Sequence, residues 1–312
     1  MEFLSQYGLF FLKSLTVVIA FLIIFAGFFA MSRKPKPKLT VTSLNEHYEE
    51  LKSLMSKEVL GKKVSKPKKN KTNTQSVLYV IDFHGDIKAS QVEQLRDEVT
   101  AILCVAKPTD EVLVRLDSPG GVVNSYGLAA SQLQRIRDKN IPLTVSIDKM
   151  AASGGYLMAC VANKIIAAPF AIIGSIGVVA QIPNFYRWLK KHDIDVELLT
   201  AGEYKRTLTL FSETTEKGRK KVQEDLEKIH ITFRDYIAAN RNDLDMDKIA
   251  TGEHWLAKDA VELNLVDRLA TSDEYLIEKM TYYKAFKLSI PQKTTLANKL
   301  LKPAMRLMHP WG

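Results

Sequence analysis

Two cysteines, Cys104 and Cys160, are all that the 312 residues contain. Both sit in apolar runs and neither stands in a C-x-x-C pair or in metal-ligand spacing, so nothing points to a disulfide framework or a structural zinc. They read as buried thiols. A chain of this length buries enough apolar surface without covalent staples, so the redox compartment stays open. Histidine is also scarce: there are six, and none has flanks that suggest a catalytic triad. A general charge excess is missing too. Residues 32–76 hold twelve Lys/Arg against four Asp/Glu, whereas residues 77–312 carry 31 basic and 30 acidic side chains. The net +9 therefore belongs to one stretch, and the near-neutral remainder offers no general phosphate-binding face, which argues against a nucleic-acid partner.

Charge is wholly absent from Ser14 to Met31, an 18-residue apolar run close to the thickness of a bilayer core at helical rise. It reads as a transmembrane helix closing a membrane anchor over residues 1–31. A cleaved signal peptide is the rival reading, but bulky Phe28 and Phe29 stand where small residues would be needed for cleavage. Arg33, Lys34, Lys36 and Lys38 follow at once, and the positive-inside rule then puts the C-terminal side in the cytoplasm. Residues 32–76 form a lysine-rich linker, interrupted by a short amphipathic helix over 43–60 with Ser43 and Glu46 in capping-box spacing. That helix suits a membrane surface or a partner subunit.

From Val77 the pattern changes. Four apolar runs, at 77–83, 111–117, 142–148 and 164–169, alternate with helix-period stretches at 91–106 and 124–140, which implies an α/β fold of parallel β-α units. Ile165 to Ile182 is a second uncharged run of 18 residues, but Pro169, Gly174 and Gly177 punctuate it, so it reads as two buried strands. A long helix is expected over about 215–241, and residues 271–312 read as a helical, basic tail.

Asp117-Ser118-Pro119-Gly120-Gly121 ends one strand and opens a helix, placing amide donors where an oxyanion could be held. Met150-Ala151-Ala152-Ser153-Gly154-Gly155 follows the next strand in the same way. Alone, the first fits a tight Pro-Gly turn and the second a helix N-cap. Together they lie at C-terminal ends of adjacent strands, where α/β sheets place their sites. A nucleophilic Ser153 needs a base. Lys205, in Gly202-Glu203-Tyr204-Lys205, would serve if desolvation kept its amine neutral, although a surface-turn lysine is an equal reading. His84, after the first strand, keeps a Ser-His arrangement open.

In this order, D-S-P-G-G, M-A-A-S-G-G-Y, G-S-I-G-V and G-E-Y-K, with the closing TGEHWLAKDAVELNLVDRLA, resemble peptidase family S49 over residues 77–270. Within that family of signal peptide peptidases, the single span and lysine-rich tether look most like the SohB branch. The resemblance implies a crotonase-like, ClpP-like fold and a serine endopeptidase with a Ser-Lys dyad. Ser153 matches the nucleophile, Lys205 the base, and Ser175 a serine that bonds the lysine amine. It also implies backbone oxyanion donors at Gly121 and Gly154, with Gly120 the alternative, no metal or cofactor, a peptide or protein substrate, and a homo-oligomeric ring that can share serine and lysine between subunits. Asn264 departs from the family's usual glycine but tolerates the same left-handed turn. The resemblance places the domain outside a bacterial inner membrane, against the charge bias. A catalytically inactive membrane scaffold and an acyl-CoA enzyme of the crotonase type are the competing functions.

Overall fold

The computed structural model describes residues 2–32, 39–61 and 76–290. Helix α1 (Glu2–Ser32) belongs to one compact unit, and residues Leu39–Ile290 form the other. Among the described residues no helix is long and apolar enough to cross a membrane. The side chains of Ile24 and of residues 26–32 lie outside that description, so the expected span from Ser14 to Met31 is covered only in part. Of the expected linker over 32–76, residues 33–38 and 62–75 lie outside it as well, and so does the tail beyond Ile290.

In the larger unit the elements run β1 (Thr40–Ser43), α2 (Leu44–Leu60), β2 (Val77–His84), α3 (Val92–Leu103), β3 (Glu111–Asp117), α4 (Val123–Arg137) and β4 (Leu143–Ile147). There follow β5 (Met150–Ala152), α5 (Gly154–Ala159), β6 (Lys164–Ala167), β7 (Ile172–Gly174), α6 (Tyr186–Lys191) and α7 (Glu216–Asn240). Last come α8 (Met246–Ile249), β8 (His254–Leu256), α9 (Ala257–Ala260), β9 (Arg268–Leu269), α10 (Ser272–Met280) and β10 (Lys284–Ser289). Seven strands make one sheet in the order β1-β10-β2-β3-β4-β6-β9, parallel except at the β1 edge. The three short strands β5-β7-β8 make a second sheet.

The apolar runs form central strands because each face of the large sheet is covered. On β2, Ile81 and Phe83 join the main core, while Leu78 and Val80 point into a second cluster with Tyr275 and Leu276 of α10. Burial on both faces removes the alternation that a half-exposed strand would show. Under α10, the Glu111 carboxylate accepts from Thr144 Oγ1 (2.8 Å), Tyr275 Oη (2.5 Å) and Lys279 Nζ (2.6 Å). A buried charge is tolerated there because it is fully partnered.

Several expectations need correction. The larger compact unit runs from Leu39 to Ile290, wider than the expected 77–270, because β1 pairs with β10 and Asn45 of α2 bonds the backbone of Met280, Tyr283 and Ala285. Residues 284–289, expected in a helical tail, form a strand parallel to β2. Only half of the Ser43–Glu46 box forms: Ser43 Oγ accepts from the Glu46 amide. Cys160 is buried, but Cys104 is exposed, since it ends α3 where the chain turns to solvent. Of the run from Ile165 to Ile182, β6 and β7 are strands, whereas Val179 and Ile182 beyond them are exposed. Asn264 does adopt the left-handed conformation, with φ 57°.

Candidate active site

Parallel strands β2, β3 and β4 deliver their C-terminal ends to one edge of the sheet, and the loops that leave β3 and β4 meet there. The Ser118 amide donates to Met150 O (2.8 Å) and the Ala152 amide to Ser118 O (3.0 Å), so the Asp117–Gly121 loop runs beside β5 as an extra strand would. The two motifs, 32 positions apart at Ser118 and Met150, become neighbours through this pairing.

Ser153 lies on the turn between β5 and α5, with φ 51° and ψ −116°. A non-glycine residue in that region costs about 1–3 kcal/mol and persists only where its surroundings fix it. They do so here: the Ser153 amide donates to Gly174 O (2.7 Å) and its carbonyl accepts from the Leu157 amide (3.0 Å). The result is a sharp strand-to-helix turn that presents a side chain outward, the geometry of a nucleophile elbow. Its hydroxyl makes no hydrogen bond among the described residues.

Two glycines let the backbones close around this turn. A Cβ on Gly120, which has φ 84°, would lie 2.7 Å from Ala152 O, 2.7 Å from Gly154 N and 2.8 Å from Ser153 Cβ. A Cβ on Gly154 would lie 2.4 Å from the Tyr126 ring. The Gly120 amide donates to Ser118 Oγ (3.2 Å), whereas those of Gly121 and Gly154 donate to nothing among the described residues. Both of these glycines line a cavity of about 470 Å³ together with Ser153. Val123, Ala130, Leu157, Val178, Ile229 and Phe233, from α4, α5, α7 and the chain after β7, make it apolar. Two of its hydroxyls are spent locally, Ser131 on Gly127 O and Thr232 on Lys228 O, whereas the buried Tyr236 Oη has no partner among the described residues.

The register Ala152↔Gly174 puts Ser175 one step past the end of the β5-β7 pair, beside Ser153. Ser175 also has positive φ (52°), and its amide donates to Glu253 O (2.6 Å). His254 is brought to the strand position opposite Gly174, a placement its sequence surroundings did not suggest. Lys205 closes the expected turn, its amide donating to Gly202 O (3.1 Å), but its side chain is exposed and is not in the cavity lining. His84, the other candidate base, is likewise absent from that lining. Its Nδ1 stands 3.9 Å from Asp117 Oδ2, and Lys149 Nζ lies 3.6 Å from the same oxygen. Asp117 holds the His84 imidazole above its ordinary value, although 3.9 Å is an ion-pair distance and not a hydrogen bond.

Tyr126 went unnoticed in the sequence. It shares the buried face of α4 with Ala129, Ala130 and Leu133, and that placement was the available signal, because a buried phenol needs a hydrogen-bond partner.

Residues 135–286 match the pattern of peptidase family S49, and residues 2–133 match the N-terminal pattern of the same family. A probable protease SohB of Haemophilus influenzae is 45% identical over 329 residues, covering 97% of this chain and 93% of that protein. The probable protease SohB of Buchnera aphidicola subsp. Schlechtendalia chinensis is 47% identical over 305 residues, covering 89% of this chain and 100% of that protein. Among solved structures, a membrane-bound stomatin-specific protease with a substrate peptide gives a TM-score of 0.46 at 15% identity, over 75% of this chain and 99% of its own.

Proposed function

Because the chain belongs to peptidase family S49, a family of serine proteases, we propose that it is a membrane-anchored endopeptidase with Ser153 as nucleophile and Lys205 as general base. One observation carries the nucleophile: Ser153 is fixed at a strained turn, its hydroxyl and two neighbouring amides unengaged among the described residues, beside an apolar cavity.

Ser153 Oγ attacks the peptide carbonyl carbon and its proton passes to the neutral Lys205 amine. The tetrahedral oxyanion accepts from the amides of Gly121 and Gly154, a stabilisation usually worth about 10²–10³ in rate per donor. Gly121 is preferred over Gly120 as donor because the Gly120 amide already donates to Ser118 Oγ. Collapse expels the amine, which takes the proton from lysine, and a lysine-activated water then hydrolyses the ester. The cavity beside Ser153 accepts an apolar side chain of the substrate.

A lysine base must be desolvated to be neutral at working pH, whereas Lys205 of a single chain is exposed. The reading that resolves this is a ring in which Lys205 of a neighbouring copy meets Ser153 and Ser175. It is supported by the apolar residues left uncovered on the stretch of chain that carries Lys205, among them Val179, Phe185, Trp188, Leu199 and Phe211. The anchor is α1: its 31-residue helix contains the uncharged run Ser14–Met31, and the described apolar side chains are exposed. The described part alone falls short of a span. Protease accessibility on spheroplasts assigns the side of the membrane.

Ser153→Ala and Lys205→Ala each abolish peptide hydrolysis while leaving the thermal transition in place, and mixing the two variants restores part of the activity. Hydrolysis by Ser153→Ala overturns the nucleophile. Failure to recover under confirmed co-assembly overturns the shared site.

A further inference from the structure

Behind the Gly120–Gly121 turn lies a buried line of polar groups that the proposed chemistry does not touch. Tyr126 and Ser118 are both 0% exposed. Tyr126 Oη donates its single proton to Asp86 O (2.9 Å), since a carbonyl can only accept. The 2.7 Å contact between Ser118 Oγ and Tyr126 Oη must therefore carry the serine's proton. Ser118 Oγ then has lone pairs left for the Gly120 amide (3.2 Å). The direction of every bond is thereby fixed, from Gly120 N–H through Ser118 O–H and Tyr126 O–H to the Asp86 carbonyl. Burial pushes the Tyr126 phenol up to about 12, so it stays a donor at any ordinary pH.

This line joins the two loops that flank the oxyanion site. Residues 85–87 are held against the segment from Asp117 to Tyr126 at three points: Gly85 N to Asp117 O (2.8 Å), Val122 N to Ile87 O (2.8 Å), and the Tyr126 hydroxyl to Asp86 O. The Tyr126 ring also packs on the Gly154 backbone, where no Cβ would fit. A single side chain thus contacts the backing of both unengaged amides, its hydroxyl reaching the Gly121 loop through Ser118 and its ring supporting Gly154.

We propose that Tyr126 and Ser118 are positioning residues that orient the two oxyanion donors, with Gly120 turned away by its bond to Ser118 so that Gly121 faces the reacting carbonyl. The inference rests on Ser153 being the nucleophile. Oriented donors matter more in the transition state than for substrate binding, so their loss lowers turnover and acylation and spares KM.

The test compares Tyr126→Phe, which keeps the ring on Gly154, with Ser118→Ala, which keeps the Tyr126–Asp86 bond, both in the full-length protein. Labelling by a fluorophosphonate and kcat on a peptide substrate are expected to fall at least tenfold in each, with KM within threefold. The double variant should lose little more than the worse single, because the links act in series. Unchanged labelling in a folded variant, parallel changes in kcat and KM, or multiplicative losses in the double variant overturn the proposal. If Tyr126→Phe fails to fold, Ser118→Ala decides alone. Labelling that persists in Ser153→Ala would instead defeat the underlying reading of the nucleophile.

Discussion

Gly120→Ala places one methyl group between the nucleophile turn and the loop behind it. The new Cβ would sit 2.7 Å from Ala152 O and Gly154 N and 2.8 Å from Ser153 Cβ, against atoms that no side-chain rotation can move. Ordinary contact begins near 3.4 Å, so the two loops must separate by about 0.7 Å. Alanine at φ 84° adds roughly 1–2 kcal/mol of backbone strain. A site of this kind tolerates about 0.5 Å of misplacement. The separation exceeds that tolerance and moves Gly154 away from Gly121, which under the proposed mechanism amounts to losing one oxyanion donor. The expected outcome is a fall in kcat/KM of about 10²–10³ with a moderate loss of stability. Peptide hydrolysis and fluorophosphonate labelling read the first effect, and thermal unfolding reads the second. A folded Gly120→Ala protein that labels within threefold of the parent would refute the close packing of these loops as a requirement for chemistry.

Two further outcomes test burial away from the site. Glu98 is 1% exposed, accepts from Gln94 Nε2 (2.9 Å), and burial pushes its carboxyl up to about 7. Folded Glu98 holds its proton where the unfolded chain has released it, so stability falls as pH rises from about 4.5 through 7. Urea melts should therefore show Glu98→Gln gaining on the parent by about 1–3 kcal/mol at pH 8 relative to pH 5, and a pH-independent difference would contradict this. Cys104 is exposed, whereas burial pushes the Cys160 thiol up to about 12. A thiol reagent should modify one cysteine per native chain and two in denaturant; two rapid modifications in the native protein would show that Cys160 is accessible.

The central strands were legible because parallel strands covered on both faces become unbroken apolar runs, as in Val77–His84 and Glu111–Asp117. Strand β10 was not: Lys284 and Lys287 on a near-edge strand make it resemble a solvated tail, and Lys287 pairs with Asp82 at 2.7 Å only in the folded sheet. Strand β1 is four residues long and finds its partner across the chain, Thr40 opposite Ser289. The three-residue strands β5, β7 and β8 are too short to display any periodicity, yet their register sets Ser175 beside Ser153.

Residue order alone established the parallel β-α plan, the two glycine-rich turns after adjacent strands, and the serine that one of them carries. Apolar runs and turn residues are local quantities, and a sequence displays them directly. Tertiary structure decided what those turns do to each other: that Gly120 lies under Ser153, that its amide is taken by Ser118 while those of Gly121 and Gly154 find no acceptor among the described residues, and that Tyr126 bonds Ser118 and packs on Gly154. It also left Lys205 exposed on a single chain. The meetings of Gly120 with Ser153 and of Tyr126 with Gly154 and Asp86 join segments about 30–40 residues apart, selected by strand register and by the space between packed backbones, and no local pattern encodes them.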